Sequence, residues 1–221
     1  MNISIKEFKI ISKNQLKGKW KYPVLFTLAY FIFTMFLNSL QNNYFFIGFL
    51  AIIIAVGISL LVPKFYLEFI RNEGNISLNN LKINFKQYLK YIVFNVLIGI
   101  LSMVIIVPII FFMLMSNVSL IILSILLLLV SIFFTIVSLA LVQVPYLIID
   151  TDMSIFKICK SSIIMMKGYK WKYFIMMLSF IGWAILSIFT FGLGFLWLSP
   201  YVSVTSANFY NQLKKDTLYK I

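Results

Sequence analysis

Histidine is absent from this 221-residue chain, and cysteine occurs once, at Cys159. Those two gaps exclude intrachain disulfides, zinc sites built from His and Cys, and Ser-His-Asp catalysis. Acid is scarce as well. Six Asp and Glu stand against 19 Lys and Arg, for a net charge of +13. The six are Glu7, Glu68, Glu73, Asp150, Asp152 and Asp216, and none lies inside a long apolar run. Ion-coupled carriers usually keep an acid or base at mid-membrane, where an unused charge costs about 2.5–3.5 kcal/mol on insertion scales. The missing mid-span charge therefore argues against an ion-driven pump. A glycine-rich phosphate loop is missing too, so the chain is not expected to hydrolyse nucleotides itself. Asp150 and Asp152 are close enough to pair as acid and base or to hold a divalent cation. With no third ligand nearby, helix capping is the expectation for them. Cys159 is expected to fill space on the apolar side of a surface helix.

What is abundant is apolar surface. Hydrophobic residues make up 62% of the chain and charged residues 11%, with a mean hydropathy of +1.01. A soluble domain averages about 45–50% apolar and about 25% charged residues. The composition is that of an integral membrane protein. All 19 basic residues fall in four segments, six in 1–22, five in 63–90, five in 150–172 and three in 210–221. Cytoplasmic loops accumulate Lys and Arg, so the termini and both large loops are expected on the cytoplasmic side of a bacterial plasma membrane. The lysines beside the spans then meet anionic lipid headgroups. No basic stripe lies outside these flanks, and nucleic acid is not an expected partner. Near the N-terminus no small-residue cleavage site closes a short apolar core, so the first span reads as a retained anchor.

Two basic elbows, Lys17-Gly18-Lys19-Trp20-Lys21-Tyr22 and Lys167-Gly168-Tyr169-Lys170-Trp171-Lys172-Tyr173, turn amphipathic segments into charge-free runs. A weaker version is Lys86-Gln87-Tyr88-Leu89-Lys90-Tyr91. Each precedes a pair of runs near the roughly 20 residues that cross a bilayer. The expected fold is an all-α bundle of six transmembrane helices in three hairpins, with spans at about 23–40, 44–62, 91–115, 120–149, 171–189 and 195–210. Each hairpin is expected to follow a cytoplasmic interfacial amphipathic helix. Lys6, Lys9, Lys13 and Lys17 share one face of the first such helix. A second is expected from Ser77, with Leu78, Leu81, Phe85 and Tyr88 on its apolar face, and a third from Asp152 or Ser154 to Met166. Pro63 is expected to end the first hairpin. Span four, longer than a crossing needs, is expected to tilt or to kink near Pro145. Gln41-Asn42-Asn43, Ser116-Asn117-Val118-Ser119 and Thr190-Phe191-Gly192-Leu193-Gly194 are the expected external turns.

The sixth run carries Ser199, Ser203, Thr205, Ser206 and Asn208, too many polar groups for a lipid-facing helix. It is expected inside the bundle, where Ser199, Ser203 and Asn208, with Ser179, Trp183 and Ser187 of the fifth, are the candidate cavity lining. Interhelical hydrogen bonds and close packing within a structural bundle are the simpler account of the same residues. Lys17, Trp20, Lys167, Lys170 and Trp171 are the expected interfacial anchors, and Trp197 is expected on the outer side. No catalytic, cofactor or metal residue is expected.

The segments Met165-Met166-Lys167-Gly168-Tyr169-Lys170, Leu178-Ser179-Phe180-Ile181-Gly182-Trp183, Thr190-Phe191-Gly192-Leu193-Gly194-Phe195-Leu196-Trp197, Pro200-Tyr201 and Ala207-Asn208-Phe209-Tyr210 resemble an uncharacterised family of bacterial six-span membrane proteins. Gln15-Leu16-Lys17-Gly18-Lys19-Trp20 is similar to that family's opening. Val144-Pro145-Tyr146 stands where members often have Ile-Pro-Gly. The resemblance implies a six-span bundle, distantly similar to the membrane domain of some glycerophosphodiester phosphodiesterases, and supplies no catalytic residue. The expected function is non-enzymatic, the handling of membrane-active peptides or lipids or protection against them. A membrane subunit docking a separate ATPase, and a structural partner packed through Ala51, Ala55 and Ser59, are the alternatives.

Overall fold

The computed structural model describes residues 3–40, 45–115 and 120–218, and the expected turns at 41–43 and 116–119 lie outside them. Among the described residues every regular element is helical. In chain order these are α1 (Ile5–Leu16), α2 (Lys21–Leu40), α3 (Phe45–Ser59), α4 (Leu61–Arg71), a 3-10 turn (Leu78–Leu81), α5 (Phe85–Met115) and α6 (Leu120–Leu141). There follow α7 (Val144–Asp150), α8 (Ile155–Met165), α9 (Lys170–Leu178), α10 (Ile181–Phe189) and α11 (Phe195–Leu218).

Local chemistry accounts for the breaks. Helix α1 opens with a capping box in which Ser4 Oγ accepts the Glu7 N–H at 3.2 Å and the Glu7 carboxylate accepts the Ser4 N–H. It ends at an elbow where Gly18 has φ +75°, and Lys19 N–H closes on Leu16 O at 2.9 Å. After α8 the elbow repeats, with Gly168 at φ +82° and Tyr169 N–H on Met166 O at 3.0 Å. A Cβ at either glycine would meet nothing within 4 Å, so the left-handed backbone, not crowding, calls for glycine there.

Three expectations are corrected. The weaker elbow, residues 86–91, lies inside the unbroken helix α5, because it has neither glycine nor proline to stop one. The amphipathic helix expected from Ser77 is a single 3-10 turn, capped by Ser77 Oγ on the Asn79 N–H at 3.3 Å. Pro63 does not end the hairpin; it occupies the third position of α4, where a missing N–H costs no helical hydrogen bond, and the helix continues to Arg71. In the fourth run the break falls at Val142–Gln143, just before Pro145. Ser154, the residue preceding α8, makes no side-chain capping bond.

Among the described residues, and taking α3 with α4, α6 with α7 and α9 with α10 as continuous stretches, five helical stretches are long and apolar enough to cross a membrane: Lys21–Leu40, Phe46–Arg71, Phe85–Phe111, Ser124–Asp150 and Lys170–Phe189. That is consistent with a membrane protein. Helix α11 does not qualify. It is instead the hub, packing on α4, α1 and α2, and its second half is the centre of the buried core. Val204, Ala207, Phe209, Tyr210 and Leu213 are fully buried there, against Phe8 and Leu16 of α1, Phe65 to Ile70 of α4 and Ile148 of α7. The Phe209 ring lies 5.5 Å from Phe8 and 5.0 Å from Tyr173, and Tyr146 stacks on Tyr210 at 4.9 Å.

One carboxylate ties this end together. Asp150, at the C-terminus of α7, accepts two hydrogen bonds from Arg71 of α4, at 2.8 and 2.7 Å. It also accepts Lys214 Nζ at 2.7 Å and the Tyr210 hydroxyl at 2.9 Å, both from α11. Its side chain is only 6% exposed, so four donors replace the water it has lost. For Asp150 the expected helix capping gives way here to a clamp on three helices, α4, α7 and α11.

Candidate functional site

Helices α10 and α11 meet antiparallel across a tight turn, and glycine sets how close they come. A Cβ on Gly194 would stand 2.8 Å from Ser187 Cα, well inside contact distance. Thr190 Oγ1 donates to Ser187 O at 2.8 Å and accepts the Gly194 N–H at 2.9 Å, pinning the turn from within. Ser187 Oγ donates to Trp183 O at 2.8 Å. Both hydroxyl protons are thus committed to helix carbonyls.

On the side facing α1 this pair leaves a cleft of about 450 Å3. Its wall is Trp183, Leu186, Ser187 and Thr190 from α10 and its end, Gly194, Trp197, Leu198 and Tyr201 from the turn and α11, and Lys13 and Trp20 from α1 and its elbow. Three of the chain's four tryptophans face one space. Lys13 is the one charged lining residue, and a groove of about 740 Å3 lined by Ile10, Lys13, Asn14, Lys17, Gly18 and Trp20 adjoins it along α1.

Helix α1 is held against this pair by a lysine. Lys9 Nζ donates to both Ser179 O and Ser179 Oγ at 3.0 Å, where α9 gives way to α10, and sits 4.3 Å from the centre of the Phe180 ring. The Tyr201 hydroxyl donates to Lys9 O at 3.1 Å. Burial pushes the Lys9 ammonium below its ordinary value, and the two oxygens and the ring take the place of lost water.

Of the six candidate lining residues, Trp183 and Ser187 are in the cleft. Ser179 is taken by Lys9. Asn208 Nδ2 donates to Ser12 Oγ at 3.0 Å and Gln15 Oε1 at 2.7 Å, locking α1 to α11. It also borders a separate polar pocket of about 220 Å3 with Gln15, Asn211, Gln212 and Lys215. Ser199 and Ser203 are half-buried on α11 and do not line the cleft. Among the expected anchors, Lys17 and Lys167 are exposed beside the elbow glycines, and Lys170 is half-buried at the start of α9. Trp171 is 68% exposed and stacks on Phe174 at 5.3 Å. Trp20 turns into the cleft. Sequence reasoning assigned Trp20 and Trp197 to opposite membrane faces and passed over Lys13, Thr190 and Tyr201. No signal along the chain separates the cleft tryptophans, since the three that flank glycine-containing turns are Trp20, Trp171 and Trp197, and Trp171 lies outside the cleft while Trp183 is in it.

A family model described as "Protein of unknown function (DUF975)" matches residues 1–217. The chain belongs to this family. No curated protein and no solved structure matches it. The DUF975 match takes in both elbows, the Asp150 clamp and every residue of the cleft.

Proposed function

We propose that this DUF975 protein is a non-enzymatic multi-pass protein of the bacterial plasma membrane that holds an anionic amphiphile, a lipid before a peptide, in the cleft between α10, α11 and α1. Both termini lie on the cytoplasmic side, where the lysines concentrate. The observation that carries the reading is the gathering of Trp20, Trp183 and Trp197 around one space with Lys13 at its edge. Tryptophan offers a large apolar face with one polar tip, suited to an acyl chain passing out of the headgroup layer. Lys13 supplies the matching charge for a phosphate or carboxylate, reinforced by Lys17 next along the groove. A cationic membrane-active peptide would meet repulsion there, which favours a lipid. The committed hydroxyls of Ser187 and Thr190 suit a binding surface better than a nucleophile.

Native mass spectrometry of protein extracted in mild detergent tests this. Wild type should retain an anionic lipid, and Lys13→Gln should lose at least about tenfold of that retention, the scale of one charged hydrogen bond of about 1.5–3 kcal/mol. Equal retention by the two proteins, or a bound zwitterionic lipid or cationic peptide in its place, would remove the reading.

A further inference from the structure

The second half of α11 carries a polar stripe. Asn208, Asn211, Gln212 and Lys215 recur at the three- and four-residue spacing that puts them on one helical face, while Phe209, Tyr210 and Leu213 turn into the core. Open water is the ordinary neighbour of such a stripe. Here α1 lies along it instead, with the three amides half-buried, and between the two helices is the polar pocket of about 220 Å3 that Gln15 lines from the α1 side. Phe8 of α1 and Ile70 of α4 also line it. It shares no lining residue with the tryptophan cleft, so what it holds is independent of what the cleft holds.

The hydrogen bonds of the pocket fix which atom of each amide is left over. Asn208 Nδ2 donates to both Ser12 Oγ and Gln15 Oε1, at 3.0 and 2.7 Å, so the other end of the Gln15 amide is its NH2 group. That group makes one long contact, 3.4 Å to Asn208 Oδ1, and has a second N–H to give. Asn211 Oδ1 accepts Arg71 Nη2 at 3.2 Å, which leaves the Asn211 NH2 group. Gln212 Nε2 donates to Asp216 Oδ1 at 3.1 Å, which leaves Gln212 Oε1 as an acceptor. Among the described residues the Asn211 NH2 group, that second Gln15 N–H and the Lys215 ammonium find no acceptor in the protein.

Half-buried donors are normally paired, and a wall with donors to spare, one of them charged, selects an oxyanion. No carboxylate lines the space. The acids nearest to it are engaged, Asp216 by Gln212 and Asp150 by Arg71, Lys214 and Tyr210. Gln212 Oε1 narrows the choice further. An acceptor in an anion site is left unpaired by sulfate, which has only acceptors at neutral pH, and is satisfied by an anion that carries an O–H.

We propose that the pocket between α1 and α11 binds a small phosphate, its oxygens taken by Asn211, Gln15 and Lys215 and its O–H by Gln212. The same chemistry is offered by inorganic phosphate in solution and by the phosphate monoester head of a lipid.

Equilibrium dialysis of radiolabelled inorganic phosphate against the full chain, held in nanodiscs of zwitterionic lipid at neutral pH and fixed ionic strength, tests this. Phosphate should bind at least about tenfold tighter than sulfate, the scale set by one acceptor left unpaired. Asn211→Asp keeps the acceptor for Arg71 but replaces the NH2 group with a negative oxygen, and should abolish binding. Lys215→Gln, at an exposed position that the fold does not need, should weaken binding about tenfold, the scale of one charged hydrogen bond. Lys157→Gln removes the same charge from the exposed face of α8 and should leave binding unchanged. Phosphatidic acid added to the discs then identifies the source: displacement of the label assigns the pocket to a lipid head, and retention assigns it to free phosphate. No bound phosphate, sulfate bound equally well, or the same loss in Lys157→Gln as in Lys215→Gln would overturn the proposal.

Discussion

The charged end of this molecule and its apolar hairpins are built by different rules. At the charged end one face each of α1, α4, α7, α8 and the second half of α11 packs into a common core, with Phe8, Tyr66, Phe69, Phe209 and Tyr210 at 1% exposure or less. In the hairpins large side chains stay open, Ile32 at 58%, Phe36 at 57%, Val104 at 65% and Leu128 at 59%. Lipid tails are as apolar as leucine, so nothing drives those surfaces together. Where the chain meets water, burial returns as the dominant force, and it is spent on the helices that hold the hairpins in place. The packed core of this membrane protein thus lies at its charged end, outside most of its apolar length.

Substitution on the two sides sharpens the contrast. Phe209→Ala, which empties a site walled by Phe8 and Tyr173, should cost about 3–5 kcal/mol, while Leu128→Ala on the open face of α6 should cost no more than about 0.5 kcal/mol. Thermal unfolding in one detergent compares them, and similar losses would break the distinction. Next in size is Asp150→Asn, which keeps the shape but leaves Arg71 and Lys214 facing a neutral amide. A loss of about 3 kcal/mol is expected, read as a lowered midpoint, and an unchanged midpoint would mean the clamp is decorative. The smallest effect lies at Ser4 and Glu7. Hydrogen bonds from the Ser4 N–H and then the Ser4 hydroxyl hold the Glu7 carboxyl below its ordinary value. A carboxyl lowered by folding stabilises above its unfolded pKa and loses that contribution as pH falls through the folded one. Circular dichroism between about pH 5 and pH 3 should show wild type losing midpoint that Glu7→Gln does not lose.

The sequence announced much of this arrangement, for stated reasons. Charge-free runs of about 20 residues and lysines confined to four segments are one-dimensional signals, and the elbow glycines at 18 and 168 mark left-handed turns that few other residues adopt. What escaped depended on position in three dimensions. Pro63 reads as a helix end, yet its place in the first turn of α4 makes it a helix start. Lys86 to Tyr91 repeats the elbow's composition without its glycine, and composition alone does not bend a helix. The polar residues of α11 were legible as interior, but their division was not. Asn208 turns to α1, Ser206 approaches the Tyr173 hydroxyl at 3.3 Å, and Ser199 and Ser203 stay outside the cleft. Asp150 gave no hint of Arg71, which lies 79 residues away and meets it only when α4 and α7 pack together.

The cleft itself is tested most directly by quenching of single-tryptophan variants in lipid nanodiscs, with Trp183 or Trp197 retained in turn and exposed Trp171 as reference. Lipids brominated on the acyl chain are offered with an anionic or a zwitterionic headgroup. The account predicts that the anionic lipid quenches Trp183 and Trp197 severalfold more than the zwitterionic one, that Trp171 does not distinguish them, and that Lys13→Gln erases the difference. Equal quenching of Trp183 and Trp197 by both headgroups in the wild-type background would contradict it.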